Sequence, residues 1–403
     1  MISKSVISQK NEIIKNTELV NSNNNLNSKE ERWRFSPIKE FIKSDFSGKN
    51  NLNKKSIDIH KFDEAIEIFI KGGSIHELGN LPSGIEIIQC ENDLKKIYQF
   101  LPNFGNIINS EDYYFSDENT IEFSNCIILI INENKFFEKP IHLIHNQSKH
   151  KDFTRIFIHC KNNSELKIIE SYNNSIQNSY QNSVVEILME QESKLDFYCI
   201  QNGNESNWLF YNLGVKLFRN SQFKKSIFSL SSYRIINELF CDLNEDGAEA
   251  EISGLYLADK DSHRDNHVKI IHSAPNTYSF EIFKGILCGR SSGVFNGIII
   301  VKQDAQKINS NQTNRNLLLS SDAQMNSNPQ LEIYADDVKC SHGSTAGQID
   351  DDALFYMRSR GISEGSAIKM LVKGFADEIL DKVKIKSMLD FLEPKIEDLV
   401  DKN

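Results

Sequence analysis

Between Pro37 and Leu101 apolar residues recur at helical spacing, first in Phe62, Ala65, Ile66, Ile68 and Phe69, then in Leu94, Ile97, Tyr98 and Leu101. The pattern predicts a helical N-terminal unit over residues 1–115, with a disordered start in polar tracts such as Asn21 to Asn27. Its entry, Glu30 to Pro37, ends in a Ser-Pro pair suited to opening a helix. Trp33, in that entry, is expected to pack against the body of the protein.

Beyond Ile121 the period shortens to β-branched and aromatic runs separated by Asn, Ser, Gly and Asp, which predicts many short strands over residues 116–345. The runs are Arg155 to Cys160, Leu166 to Glu170, Val184 to Met189, Leu195 to Ile200, Leu209 to Leu217, Ile235 to Leu243 and Glu249 to Leu257. His267 to His272, Ser279 to Leu287 and Val294 to Val301 complete them. With no helical segment between them, the candidates are a sandwich, a barrel or a β-helix. Runs that are apolar on both faces, such as Gly297 to Val301, favour stacked coils with parallel pairing.

After Gly347 the helical period returns, defining a unit over residues 346–403. Leu354, Phe355 and Met357 precede Gly361, which fits the left-handed position that ends a helix. A second helix places Ala367, Met370, Leu371, Phe375, Ile379 and Leu380 on one stripe, with Lys369, Lys373, Asp377, Glu378 and Asp381 facing outward. Such a stripe covers either the chain's own β core or another protein. Phe355, Met370, Leu371 and Phe375 are the candidate partner contacts.

Composition narrows the function classes. Forty-six Lys plus Arg against 56 Asp plus Glu give a net charge of −10, which speaks against a phosphate-neutralising surface and hence against nucleic acid as partner. The 7 cysteines are odd in number and too widely spaced for a C-x-x-C knuckle, the usage of small buried hydrophobes in a reducing compartment. Met1 to Lys10 lacks a signal-peptide pattern, and no run approaches the ~18 apolar residues of a membrane span. The chain therefore reads as cytoplasmic, with no membrane partner.

The chemistry concentrates near Cys340 and His342. Residues two apart on a strand point the same way, so a thiolate and an imidazole converge there on one ion, a donor pair suited to iron or zinc. Two ligands fill only half of a tetrahedral shell, so another chain must complete it or the site is labile. His263, His267 and His272, like His142 and His145, read as structural, because the relevant members project to opposite faces of a strand. Asp336 and Asp337, as strand neighbours, face apart; Asp350 to Asp352 suit a helix N-terminus. No phosphate-binding loop, dinucleotide fingerprint, zinc-protease or nucleophile-elbow motif is present, so any ATP-driven step belongs to a different polypeptide.

Taken together, Asp265-Asn266-His267, His272, Lys284-Gly285, Gly293 to Gly297, Ala305-Gln306, Asn316 to Ser320, Pro329 to Gly343 and Leu354 to Ile362 resemble the SufB/SufD family of the SUF iron-sulfur assembly machinery. The run Tyr334 to His342 is closer to the SufD branch than to SufB. The resemblance covers roughly residues 260–380 and is looser toward the N-terminus. It implies a mainly β fold, a right-handed parallel β-helix core flanked by helical units, and a non-catalytic scaffold. It also implies a SufB-type paralogue paired through the β-helix, a SufC-type ATPase docked on the C-terminal helices, and a transient iron-sulfur cluster at the interface, with Cys340 and His342 as this chain's ligands. The family complex has been associated with a reduced flavin, for which this sequence holds no fingerprint. The rival reading is a β-helical carbohydrate-active enzyme, an architecture common among polysaccharide lyases.

Overall fold

The computed structural model describes residues 26, 29–48, 60–62, 64–92, 97, 104–108 and 114–401. Leu94, Tyr98 and Leu101, and nearly all of the polar start, lie outside the described residues. Two sheets run the length of the molecule and face each other across a common interior. One holds β1 (Ile66–Lys71), β2 (Ser74–Leu78), β5 (Ile141–Asn146), β7 (Glu165–Asn174), β9 (Lys194–Gly203), β11 (Gln222–Ser231), β13 (Glu249–Ala258), β15 (Tyr278–Leu287), β17 (Ile308–Leu318) and β19 (Val338–Gly347). The other holds β3 (Ile85–Glu91), β4 (Asn125–Ile131), β6 (Lys151–Cys160), β8 (Ser179–Met189), β10 (Asn207–Leu217), β12 (Arg234–Leu243), β14 (His263–His272), β16 (Ser292–Val301) and β18 (Gln324–Ile333).

From β4 onward the chain alternates between the sheets, and from β5 onward each strand pairs in parallel with an earlier strand of its own sheet. The result is a parallel β-solenoid of about eight turns. All ten runs picked out by their apolar pattern are strands. Parallel stacking requires tight corners, and these fall on residues with positive φ, notably Asn134, Asn163, Glu192 and Asn220. Asn tolerates the left-handed region because its short side chain bonds locally. The corners stack: Asn134 N–H donates to the Asn162 carbonyl, Asn163 to Gln191, Glu192 to Arg219 and Asn220 to Asp246.

The helical reading of the N-terminal unit requires correction. Ile66–Lys71, Ser74–Leu78 and Ile85–Glu91 are strands, with β1 and β2 joined by Gly72 and Gly73, both at positive φ. Ile66, Ile68 and Ile70 satisfy a period of two, and the Gly-Gly hairpin decides between the two periods. Among the described residues, helix occurs as a single 3-10 turn, Glu31–Trp33, as α1 (Ile38–Lys43), which Pro37 precedes as N-cap, at Ile97, and as α2 (Tyr114–Glu122).

Inside the solenoid, alternate residues of every strand build one continuous core, from Ile68 and Leu143 through Phe197 and Leu239 to Phe295 and Val301. The outer faces are covered differently. Trp33, Ile38, Phe46 and Phe115 form an aromatic layer over Tyr180, Trp208 and Phe210 on one sheet. Over the other lie α4 (Glu364–Leu380) and α5 (Lys386–Asp401), which bury Val372, Ala376, Ile379 and Met388 against Tyr198, Phe228 and Ile282. The buried stripe of α4 is therefore Ala367, Val372, Ala376, Ile379 and Leu380, and Met370 stands off it. Val372, which the stripe read from sequence omitted, occupies the inward position. Among the described residues no helix is long and apolar enough to cross a membrane.

Candidate metal-facing site at the open end of the solenoid

Leu331 to Gly343, read as one extended segment, is two strands joined by a corner. β18 ends at Ile333, Asp336 and Asp337 lie in the bend, and β19 begins at Val338. The corner places β18 and β19 at the ends of their respective sheets, each paired on one side only. Nothing among the described residues covers these outer edges, and β19 is exposed along most of its length.

Cys340 and His342 both lie on β19. Val338 and Cys340 pack against the interior core, and Ser344 Oγ bonds Ser327 Oγ of the facing sheet at 2.7 Å. By the alternation of the strand, 338, 340, 342 and 344 share the interior side. Cys340 is half-buried, which pushes its thiol pKa up, whereas His342 is exposed because no further turn lies above it. Strand alternation puts Cys340 and His342 on one side of β19. No group of three or more His, Cys, Asp or Glu able to hold a metal occurs among the described residues, so the pair offers half a shell.

Below this pair the interior is unusually polar. Ser310, Gln312 and Asn314 of β17 stand opposite Cys340, His342 and Ser344. Ser310 Oγ bonds Ser279 Oγ at 2.7 Å, and Ser279 bonds His272 Nε2 at 2.9 Å. Burial holds the His272 pKa down to about 4, so its imidazole is neutral at physiological pH. Gln312 Nε2 donates to Glu281 Oε2 at 2.9 Å, and burial raises that carboxyl's pKa to about 7.

The other titratable clusters described have partners within the chain. His145, Tyr172 and Tyr211 surround Glu170 in the middle of the interior, at 3.1, 2.7 and 3.0 Å, and Lys225 donates to Tyr211 Oη at 2.9 Å. Burial works to raise the Glu170 pKa, but the bond and charge of His145, with Lys225 and Tyr172, bring it below the usual value. Sequence reasoning missed this network, whose members are scattered over four strands; Lys225 amid apolar strand residues was its one visible sign. His263 and His267 flank Asp265 on the outer face, at 3.7 and 2.8 Å, while His272 points into the interior, the opposed arrangement expected from the strand. His142 and His145 likewise bond different groups, Ser171 and Glu170. All 7 cysteines are free thiols.

The candidate partner contacts divide. Phe355, on α3 (Asp351–Ser359), is 74% exposed and Met370 is 56% exposed. Leu371 is half-buried, and Phe375 packs toward the solenoid, with Lys284 Nζ 4.6 Å from its ring centre. α3 buries none of its side chains, and Asp350 caps it by accepting from the Asp352 and Ala353 amides.

Comparison with known proteins agrees with this architecture. The chain matches the model described as "SUF system FeS cluster assembly, SufBD core domain" over residues 142–375. It is 28% identical over 381 residues to an iron-sulfur cluster assembly SufBD family protein of Synechocystis sp., covering 89% of this chain and 84% of the relative. It is 40% identical over 142 residues to the iron-sulfur cluster assembly protein SufD of Escherichia coli, covering 35% of this chain and 34% of that protein. A chloroplastic protein of Arabidopsis thaliana, ABCI7, is 27% identical over 314 residues, 73% of this chain and 64% of its own. With a family match over more than half its length, on a parallel solenoid, the chain belongs to the SufBD family of the SUF system for iron-sulfur cluster assembly.

Proposed function

We propose that this chain is a non-catalytic scaffold subunit that offers Cys340 and His342 to a nascent iron-sulfur cluster at an interface with a SufB-type paralogue. The observation that carries the reading is the incomplete end of the solenoid. Its terminal turn has two unpaired strand edges, and Cys340 and His342, a soft sulfur-plus-imidazole pair, share its interior side by strand alternation. An edge strand is a template for another strand, and half a coordination shell becomes whole when a second chain faces it. The cluster is cargo, held transiently and released.

The exposed Phe355 and Met370 on α3 and α4 form the docking surface for a SufC-type ATPase. Nucleotide cycles in that ATPase shift the C-terminal helices between two arrangements and so open or close the interfacial site, a population shift driven by differential binding. The sequence holds no fingerprint for a reduced flavin, and the proposal uses none. The setting is the cytoplasm, with neither nucleic acid nor membrane as partner.

The test is anaerobic reconstitution of the co-purified complex, followed by absorbance. Cys340→Ala and His342→Ala are each expected to lower cluster yield at least tenfold while the subunits still co-purify, and unchanged yield in both removes the site assignment. Phe355→Asp combined with Met370→Asp is expected to release the ATPase alone; retention of the ATPase would place its docking surface elsewhere.

A further inference from the structure

Directly beneath the Cys340–His342 pair sits an amide that the reading so far does not use. Gln312 of β17 is the Cα partner of His342 across the last strand pair, and both lie on the interior side. The Gln312 side chain is fully buried and reaches across the interior onto Gly297 of β16. A Cβ at Gly297 would come 2.3 Å from Gln312 Nε2 and 2.8 Å from its Cδ, so the amide occupies space that only glycine leaves. Its seat is therefore built from both sheets.

The orientation of that amide is also fixed. Nε2 donates to Glu281 Oε2 at 2.9 Å, which turns the carbonyl end, Oε1, away from that carboxylate oxygen. Gln312 Oε1 is buried and has no hydrogen-bond partner in the structure, and the same holds for Glu281 Oε1. Buried acceptors are paired in native proteins, so an orphan beside a candidate metal ligand points to the group that completes it. The nearest strand position in register is His342.

We infer that Gln312 is a positioning residue whose Oε1 accepts a hydrogen bond from the ring N–H of His342, fixing the tautomer and leaving the other ring nitrogen free for the metal. Glu281 holds the amide the right way round, and Gly297 makes room for it. Metal-binding histidines depend on such a partner at the second nitrogen, which orients the ring and raises its basicity. The inference rests on reading Cys340 and His342 as the cluster-facing pair.

The full-length chain, labelled with nitrogen-15 histidine, tests it by nuclear magnetic resonance, the His342→Ala variant assigning the His342 signals. Wild-type His342 is expected to show one dominant tautomer, and Gln312→Leu to lose that preference. Gln312→Glu, which keeps an acceptor, restores it. Gly297→Ala, which displaces the amide without removing a polar group, is expected to repeat the loss and serves if Gln312→Leu fails to fold. In the complex with the SufB-type paralogue, cobalt(II) affinity should fall about 10- to 100-fold in Gln312→Leu. A folded Gln312→Leu or Gly297→Ala with unchanged His342 tautomer and unchanged cobalt affinity overturns the inference. Cobalt binding indifferent to Cys340→Ser instead overturns the metal-site reading, while the tautomer measurement still decides the role of Gln312.

Discussion

The two ends of the solenoid finish differently. At the N-terminal end the stack finishes in antiparallel pairs, β2 against β1 and β3 against β4, with β2 and β3 each paired on one side only. At the other end β18 and β19 stop with one edge each unpaired, and the interior side chains of the last turn, Met325, Leu331, Val338 and Cys340, are only partly buried. An unpaired edge is a template for another strand. Of the two ends, it is the parallel one that carries Cys340 and His342.

The body also differs from the open end in how its interior polar groups are satisfied. Glu170 receives three donors, and its neighbour Lys225 is bonded in turn. Glu170→Ala is therefore expected to leave buried donors and a cation uncompensated and to lower stability by about 3–5 kcal/mol in urea denaturation. A loss under about 1 kcal/mol would show that the network is not the lock on the body that its geometry describes.

Equal truncations at the two ends should be unequal in effect. Leu143, 2% exposed within the closed body, is expected to cost about 2–5 kcal/mol when changed to Ala. Leu331→Ala, at the half-exposed last turn, should cost under about 1.5 kcal/mol in the isolated chain and more in the paired complex. Equal losses in the isolated chain would mean that the last turn is already sealed.

A smaller effect concerns Glu281, whose pKa in the folded chain, about 7, lies above its usual value. Folding then holds the proton more tightly than the unfolded chain does, so stability is fully present below about pH 4.5 and declines as pH rises through 7. Glu281→Gln removes that penalty. The variant is expected to match wild type at pH 4.5 and to exceed it at pH 8 by on the order of 2 kcal/mol in the urea midpoint analysis. A pH-independent difference would mean that Glu281 does not titrate in the folded protein across this range.

Much of this architecture was legible in the residues. Ten apolar runs marked strands because parallel sheets buried on both sides need apolar residues on both faces, and Val184 to Met189 and Leu209 to Leu217 show that composition. Gly361, at φ 85°, ends α3 as its position implied. The N-terminal third misled because Phe62, Ala65, Ile66 and Phe69 fit a helix, while the competing alternation of Ile66, Ile68 and Ile70 gained its partner from β5, far along the chain. The same limit hid Gln312 and Glu281. Their significance depends on register between strands about thirty residues apart, which no local period encodes. That Cys340 and His342 share one strand was readable because the extended run around them is a local signal; family membership then placed the chain in iron-sulfur assembly rather than among carbohydrate-active β-helices.

The unpaired terminal turn also bears on how the protein must be made. A bare strand edge accepts whatever extended backbone reaches it first, so a chain with nothing paired there presents a sticky surface that invites self-association. Under the proposed pairing with a paralogue, balanced synthesis of the two subunits would be a folding requirement, written into β18 and β19.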